Sequence, residues 1–225
     1  MTGKDSGSEE GKNSSERAVE PTASTELNWH PNELDPEEVL ADTSLVVASN
    51  RERNYTADSA PDWIETIVRT DEGRNVARNR GVEAASGEWI IVADDDITFP
   101  TQLTAALVHG MDRRHVVGLE DFPPMEWILT RYVVFHRSTW EAVGGFDGRR
   151  EHGGDTDFAI RAEKAGRDVL RLPRGIVPHH DEDTAFEDDE HAEWLWYLFW
   201  RHPLRMAPKA IRIIGSRIAK SLNLN

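Results

Sequence analysis

The stretch Gly73 to Pro100, GRNVARNRGVEAASGEWIIVADDDITFP, constrains the fold of this chain more than any other. Ala77, Gly81, Ala84 and Ala85 recur at helical spacing and give a narrow face of small side chains, suited to close packing. Gly87 then stops the helix. Trp89, Ile90, Ile91, Val92 and Ala93 form an unbroken apolar run, the pattern of a strand buried on both faces of a mainly parallel sheet. Asp94, Asp95 and Asp96 crowd three carboxylates onto the carboxyl end of that strand. Open α/β sheets bind ligands at that edge. Three adjacent anions repel one another, so a positive partner is expected, and a hard cation such as Mg2+ or Mn2+ suits oxygen ligands. The bland alternative is a solvated acidic loop in an acidic protein.

Around this centre the pattern alternates. Ser44 to Ser49 reads as a first parallel strand, followed by Asn50 and Arg51. Trp63 to Arg69 is a second apolar run that leads into Gly73. Pro100 suits the first turn of a helix running to about His109. Val116 to Leu119 and Arg131 to His136 read as strands, with an irregular loop, Glu120 to Trp127, that could border an acceptor. Ser138 is the expected cap of a short helix ending at Gly144-Gly145. Asp155 is the expected N-cap of a helix over Thr156 to Ala165. Val169 to Leu172 and Gly175 to Val177 read as short strands, and His179-His180 follow.

Two blocks carry a family resemblance. The first has Gly73, Ala77, Arg78, Asn79 and Gly81, then Asp94 and Asp96 in an Asp-x-Asp arrangement; the second has Gly144, Gly145, Phe146, Asp147, then Asp155, Asp157 and Arg161. Together they resemble the family 2 glycosyltransferases of GT-A fold, over roughly residues 43 to 182. The resemblance implies an α/β, Rossmann-like fold with a mainly parallel sheet flanked by helices. It also implies transfer of a sugar from a nucleotide-diphosphate donor to an acceptor, with inversion. Carried over residue by residue, it implies nucleotide-side roles for Asn50, Arg51, Asp71, Arg78, Asp94 and Asp95. Asp94, Asp96 and His179 become the ligands of a divalent cation, and Asp155 the catalytic base. Arg161 would be a structural or phosphate-side contact. Two departures stand out. The family's Glu before the base is Gly154 here. Between Arg51 and Trp63 one βα unit looks shortened or missing, which leaves Asp71 as the substitute candidate for holding the nucleotide.

Two other functions fit parts of the pattern. Asp94-Asp95-Asp96-Ile97-Thr98 also matches the Asp-x-Asp-x-Thr of haloacid-dehalogenase-like phosphatases. Those enzymes need a lysine that residues 97 to 154 do not supply. A non-catalytic, membrane-associated relative is the second alternative, suggested by the shortened region.

The ends of the chain differ from its centre. Residues 1 to 28 are Ser, Glu, Gly and Lys rich and are expected to be a disordered acidic tail. The domain itself is expected over 43 to 185. From 187 to 225 the character changes: WLWYLFW at 194 to 200 is aromatic on every side. Ala207, Ile211, Ile214, Ile218 and Leu222 then share one helical face, opposite Arg205, Lys209, Arg212 and Lys220. The net charge is -15, yet residues 201 to 225 hold six basic and no acidic residues. This is the pattern of an amphipathic helix lying on a membrane surface through residues 194 to 222. Packing on the domain or on a partner subunit is the alternative. The acid excess argues against nucleic acid as a partner. With scarce lysine, it also suggests a halophile's cytosolic protein. No apolar run is long enough to span a bilayer and the polar start does not read as a signal peptide. The expected location is therefore cytoplasmic, peripheral on the inner face of the membrane. A glycan, a lipid-linked glycan or polyprenyl phosphate, or a protein is the expected acceptor. The absence of cysteine excludes disulfides and thiolate metal sites.

Overall fold

The computed structural model describes residues 34–122, 125, 127–149, 153–180 and 188–222. The expected tail, 1 to 28, lies outside them. The sheet has six strands in the order β2-β1-β3-β5-β4-β6. They are β1 (Thr43–Ala48), β2 (Glu65–Arg69), β3 (Trp89–Ala93), β4 (His115–Glu120), β5 (Ile128–His136) and β6 (Asp168–Leu172). β1 runs parallel to β2 and β3, and β4 runs parallel to β6; only β5 is reversed, antiparallel to both β3 and β4. The sheet is therefore mainly parallel, and the carboxyl ends of five strands share one edge with the start of β5.

Both faces are covered, as the unbroken apolar strands require. Leu45 and Val47 of β1 join Ile91, Tyr132 and Val134 on one face, over which lie α1 (Pro36–Val39) and α4 (Thr101–Gly110). Val46 joins Ile90, Val92 and Phe135 on the other, beneath α3 (Arg74–Ala84), α6 (Gly154–Lys164) and α7 (Asp188–Arg201). The small-residue face of α3 makes a close approach possible: a Cβ on Gly81 would stand 2.2 Å from Val46 Cγ1.

Several local expectations are corrected. The βα unit between β1 and β2 is present, compressed to the five-residue helix α2 (Tyr55–Ser59). Pro100 caps α4 from outside its first turn. His136, not Ser138, caps α5 (Arg137–Val143), because its ring accepts from the Ser138 N–H while its backbone still belongs to β5. Gly153, at φ 72°, caps α6, which puts Asp155 inside the first turn. Gly175 to Val177 contributes no strand, because Arg174–Ile176 forms a 3-10 turn.

The C-terminal segment folds as α7 and α8 (Pro203–Leu222). One side of this elbow docks on the domain: Leu198 and Met206 are buried. Tyr197 Oη donates to Asp147 at 2.7 Å, and Asp157, fully buried, faces Arg161 (2.7 Å), Arg201 (2.6 Å) and His202 (2.8 Å). The other side bears Trp196, Trp200, Leu204 and Ile211, all well exposed. Lys209 lies over the Trp127 ring and Arg205 pairs with Glu163, so these two basic side chains turn toward the domain. The side chains of Ile214, Ile218, Lys220 and Leu222 lie outside the described ones.

Candidate active site

A cavity of about 460 Å3 opens at the strand carboxyl ends, within the usual size of a small-ligand site. Of the residues singled out from sequence, Asn50, Arg51, Asp71, Arg78, Asp94, Asp95, Asp96 and Asp155 all line it; His179 does not. The chain brings them together from the ends of β1, β2 and β3 and from the helices α3 and α6.

The three aspartates have different partners. Arg78, buried in α3, donates through Nη2 to Asp94 Oδ1 at 2.8 Å and through Nη1 to Asn75 Oδ1 at 3.2 Å. Asp95 accepts from the Ser49 hydroxyl and lies 3.9 Å from Arg51 Nε. Asp96 Oδ2 is 3.1 Å from His179 Nε2 and 4.0 Å from Arg51 Nη1, while its Oδ1 is buried with no hydrogen-bond partner. Burial, then the charge of Asp94, push the Asp96 carboxyl above its ordinary range; His179 and Arg131 pull the other way. An unpartnered buried oxygen beside an imidazole is a donor pair that fits a divalent cation. Among the described residues no group of three His, Asp or Glu side chains forms a ready-made cation cage. Asp94 faces Arg78, and Asp96 and His179 face each other.

Backbone contacts fix this turn. Thr56 of α2, fully buried, donates to the carbonyls of Asp94 (2.6 Å) and Ile97 (3.1 Å). The His180 N–H donates to the Asp96 carbonyl at 2.7 Å and Ile97 bridges to His179, which brings the His pair to the end of β3. His180 turns away to stack on Tyr55, with ring centroids 4.2 Å apart. Of the two histidines, the one singled out from sequence meets the carboxylate.

Asp71 sits just past β2, paired with Arg69 at 2.8 Å and with Arg80. The hydrogen bond from Arg69 leads in holding its carboxyl down at about 2. Asp155, at the start of α6, accepts from the Thr130 N–H at 3.4 Å and lies 3.5 Å from its hydroxyl. Arg161 stands apart from the cavity, bound to Asp157 and to the Val143 carbonyl, a structural role.

The two sequence blocks touch. Asn79 of α3 donates to the Phe146 carbonyl and accepts from the Phe146 N–H, both at 2.8 Å, and takes the Trp140 indole N–H at 3.1 Å. Asn75 donates to the Asp147 carbonyl at 3.2 Å. The departure at Gly154 has a steric cause: a Cβ there would stand 2.2 Å from Asn75 Nδ2. Sequence reasoning gave Thr56, Asn75 and Asn79 no role, because each acts on backbone far away in the chain.

The family model described as glycosyl transferase family 2 matches residues 41–170, more than half of the chain. The chain belongs to this family. No curated protein sequence matches it. Among solved structures, glucosyl-3-phosphoglycerate synthase from Mycobacterium tuberculosis, in complex with phosphoglyceric acid, is 13% identical with a TM-score of 0.55. The alignment covers 77% of this chain and 84% of that one. A mycobacterial protein is 14% identical with a TM-score of 0.51, over 70% and 73%. The mannosyltransferase PcManGT from Pyrobaculum calidifontis, in complex with GDP-Man and Mn2+, is 16% identical with a TM-score of 0.49, covering 76% of this chain. This family 2 chain spans only 64% of the length of that mannosyltransferase. At these identities the likeness is one of fold, and the fold is GT-A.

Proposed function

We propose that the cavity binds a nucleotide-diphosphate sugar with a divalent cation, and that the sugar passes to an acceptor hydroxyl with inversion. The buried, unpartnered Asp96 Oδ1 beside His179 carries this proposal. Asp96 and His179 would hold Mg2+ or Mn2+, whose chemistry is to neutralise the charge of the departing diphosphate. Asn50, Arg51 and Asp71 at the ends of β1 and β2 face the nucleotide. Asp94, oriented by Arg78, faces the ribose. Asp155 takes the acceptor proton as the new carbon–oxygen bond forms and the bond to the diphosphate breaks. An acceptor that is already an ionised phosphate needs no base, and Asp155 then only orients it.

The exposed side of the α7–α8 elbow favours a lipid-linked acceptor. Trp196, Trp200, Leu204 and Ile211 are exposed along the outer side of the elbow, and the occupant that complements such aromatic and aliphatic side chains is a membrane surface. Arg201, Arg205 and Lys209 are engaged by the domain, so apolar burial would supply most of the contact. Among the described residues no helix is long and apolar enough to cross a membrane, so the contact would be peripheral.

Transfer assays with UDP- and GDP-sugars and Mn2+ test the chemistry. Asp155→Asn is expected to spare donor binding and to slow transfer by about 100-fold or more, the usual size of a general-base contribution. Unchanged transfer removes Asp155 as base. A non-catalytic relative would show neither transfer nor nucleotide binding.

A further inference from the structure

A second carboxyl lies beside the turn that carries Asp155. Asp121 follows the last residue of β4 and is fixed by its own backbone, with Asp121 N–H donating to the Trp127 carbonyl at 3.0 Å and Phe122 N–H donating to Asp121 Oδ1 at 2.6 Å. Its Oδ2 lies 3.4 Å from the Thr156 hydroxyl, on the residue next to Asp155. The first turn of α6 thus presents Asp155 to Thr130 on β5 and Thr156 to Asp121 just past β4. The charged groups that face Asp121 are Asp155 from α6 and Arg174 from the 3-10 turn. Arg174 is shared: it pairs with Glu120 at 4.0 Å and stacks on Phe122, its guanidinium carbon 3.9 Å from the ring centre. Burial, and then the charge of Asp155, push the Asp121 carboxyl up to about 7, with Arg174 opposing only weakly.

We propose that Asp121 is a positioning residue for Asp155: through the Thr156 hydroxyl it holds the first turn of α6, and with it the place of Asp155 against Thr130. As a neutral acid it can donate to the Thr156 hydroxyl and steady that turn. Once ionised it sets a second negative charge beside the turn that carries Asp155. The inference rests on the reading of Asp155 as the base.

The test begins without any substrate. A 13C NMR titration of aspartate carboxyls in the full chain is expected to show one group with a midpoint near pH 7 that disappears in Asp121→Asn. In Asp155→Asn the same midpoint is expected to fall by about one unit as the neighbouring charge is removed. A midpoint for Asp121 in the ordinary carboxylate range, or one that ignores Asp155→Asn, overturns the pairing. The second arm follows release of nucleoside diphosphate from UDP-glucose, UDP-galactose and GDP-mannose with Mn2+ between pH 5.5 and 9. The readout is the shape of the profile. The unmodified chain should lose rate by about tenfold per unit on the alkaline side, and Asp121→Asn should lose that limb. An alkaline limb that persists in Asp121→Asn, with transfer abolished by Asp155→Asn, overturns the pairing alone. Transfer unaffected by Asp155→Asn overturns the base and the pairing together.

Discussion

Two pairs of aspartates are treated in opposite ways. Beneath the α7–α8 elbow, Asp157 is enclosed by Arg161, Arg201 and His202, and Asp147 by Arg149, Arg201 and Tyr197. Both carboxyls are held below their ordinary range: the Arg149 hydrogen bond leads in lowering Asp147, and hydrogen bonds and charges from His202 and Arg161 outweigh burial at Asp157. Asp96 at the cavity keeps an unpartnered oxygen, and Asp121, just past β4, faces the Asp155 carboxylate; both are raised, chiefly by burial. The first set is matched by the protein itself and clamps the C-terminal elbow to the domain. The second is left short of cations, an arrangement that costs stability and is met at sites that bind or react. The partners supplied by distant elements separate the two pairs.

That contrast can be broken most severely at Asp157. Replacing it by Asn leaves Arg161, Arg201 and the buried His202 around a neutral amide at a fully buried position, and chemical unfolding is expected to show a loss of about 3–5 kcal/mol. A loss within experimental error would mean that the elbow is not held by this cluster. A smaller, pH-dependent effect separates the two sets. Lowered groups such as Asp147 and Asp157 contribute stability that is fully present above the unfolded carboxylate value near 4 and is lost as pH falls through their folded values. Raised groups do the reverse: the cost of Asp121 appears as pH rises above about 4 and is complete above about 7. Asp121→Asn should therefore raise the melting temperature more at pH 8 than at pH 5. An equal shift at both values would contradict the assignment. The smallest effect on folding is expected on the outer side of the elbow. Changing both Trp196 and Trp200 to Ser should alter stability by no more than about 0.5 kcal/mol each, because both are exposed. The same change should abolish sedimentation with phosphatidylglycerol vesicles. Sedimentation that survives it would remove the lipid surface as partner of this strip.

Much of the architecture was legible because apolar runs and glycines act locally. The run 89–93 is a strand buried on both faces, and Gly81 sits where a side chain would strike Val46. Asp71 was recoverable because it follows an apolar run, although the compressed helix α2 hid the unit it belongs to. Features that depend on distant partners were not legible. Nothing in Asn79 announces a hold on the Phe146 backbone 67 residues later. Likewise, the buried hydroxyl of Thr56 shows its role only once α2 is folded against the end of β3. The capping errors at Ser138 and Asp155 share a cause: each has the right chemistry, but the strand end at His136 and the left-handed Gly153 set the helix start earlier. The two motif blocks occur together because α3 clasps the loop that carries Phe146 and Asp147.

The central claim, that the cavity at Asp96 takes a nucleotide diphosphate together with a metal, is tested most directly by thermal unfolding with UDP or GDP, with and without Mn2+. A nucleotide at about 100 times its dissociation constant adds about 2.7 kcal/mol, a clear rise in melting temperature. The account predicts a rise with one nucleotide that requires Mn2+ and vanishes in Asp96→Ala while that variant remains folded. A rise that is independent of Mn2+ and persists in Asp96→Ala, or no rise with either nucleotide, would contradict it.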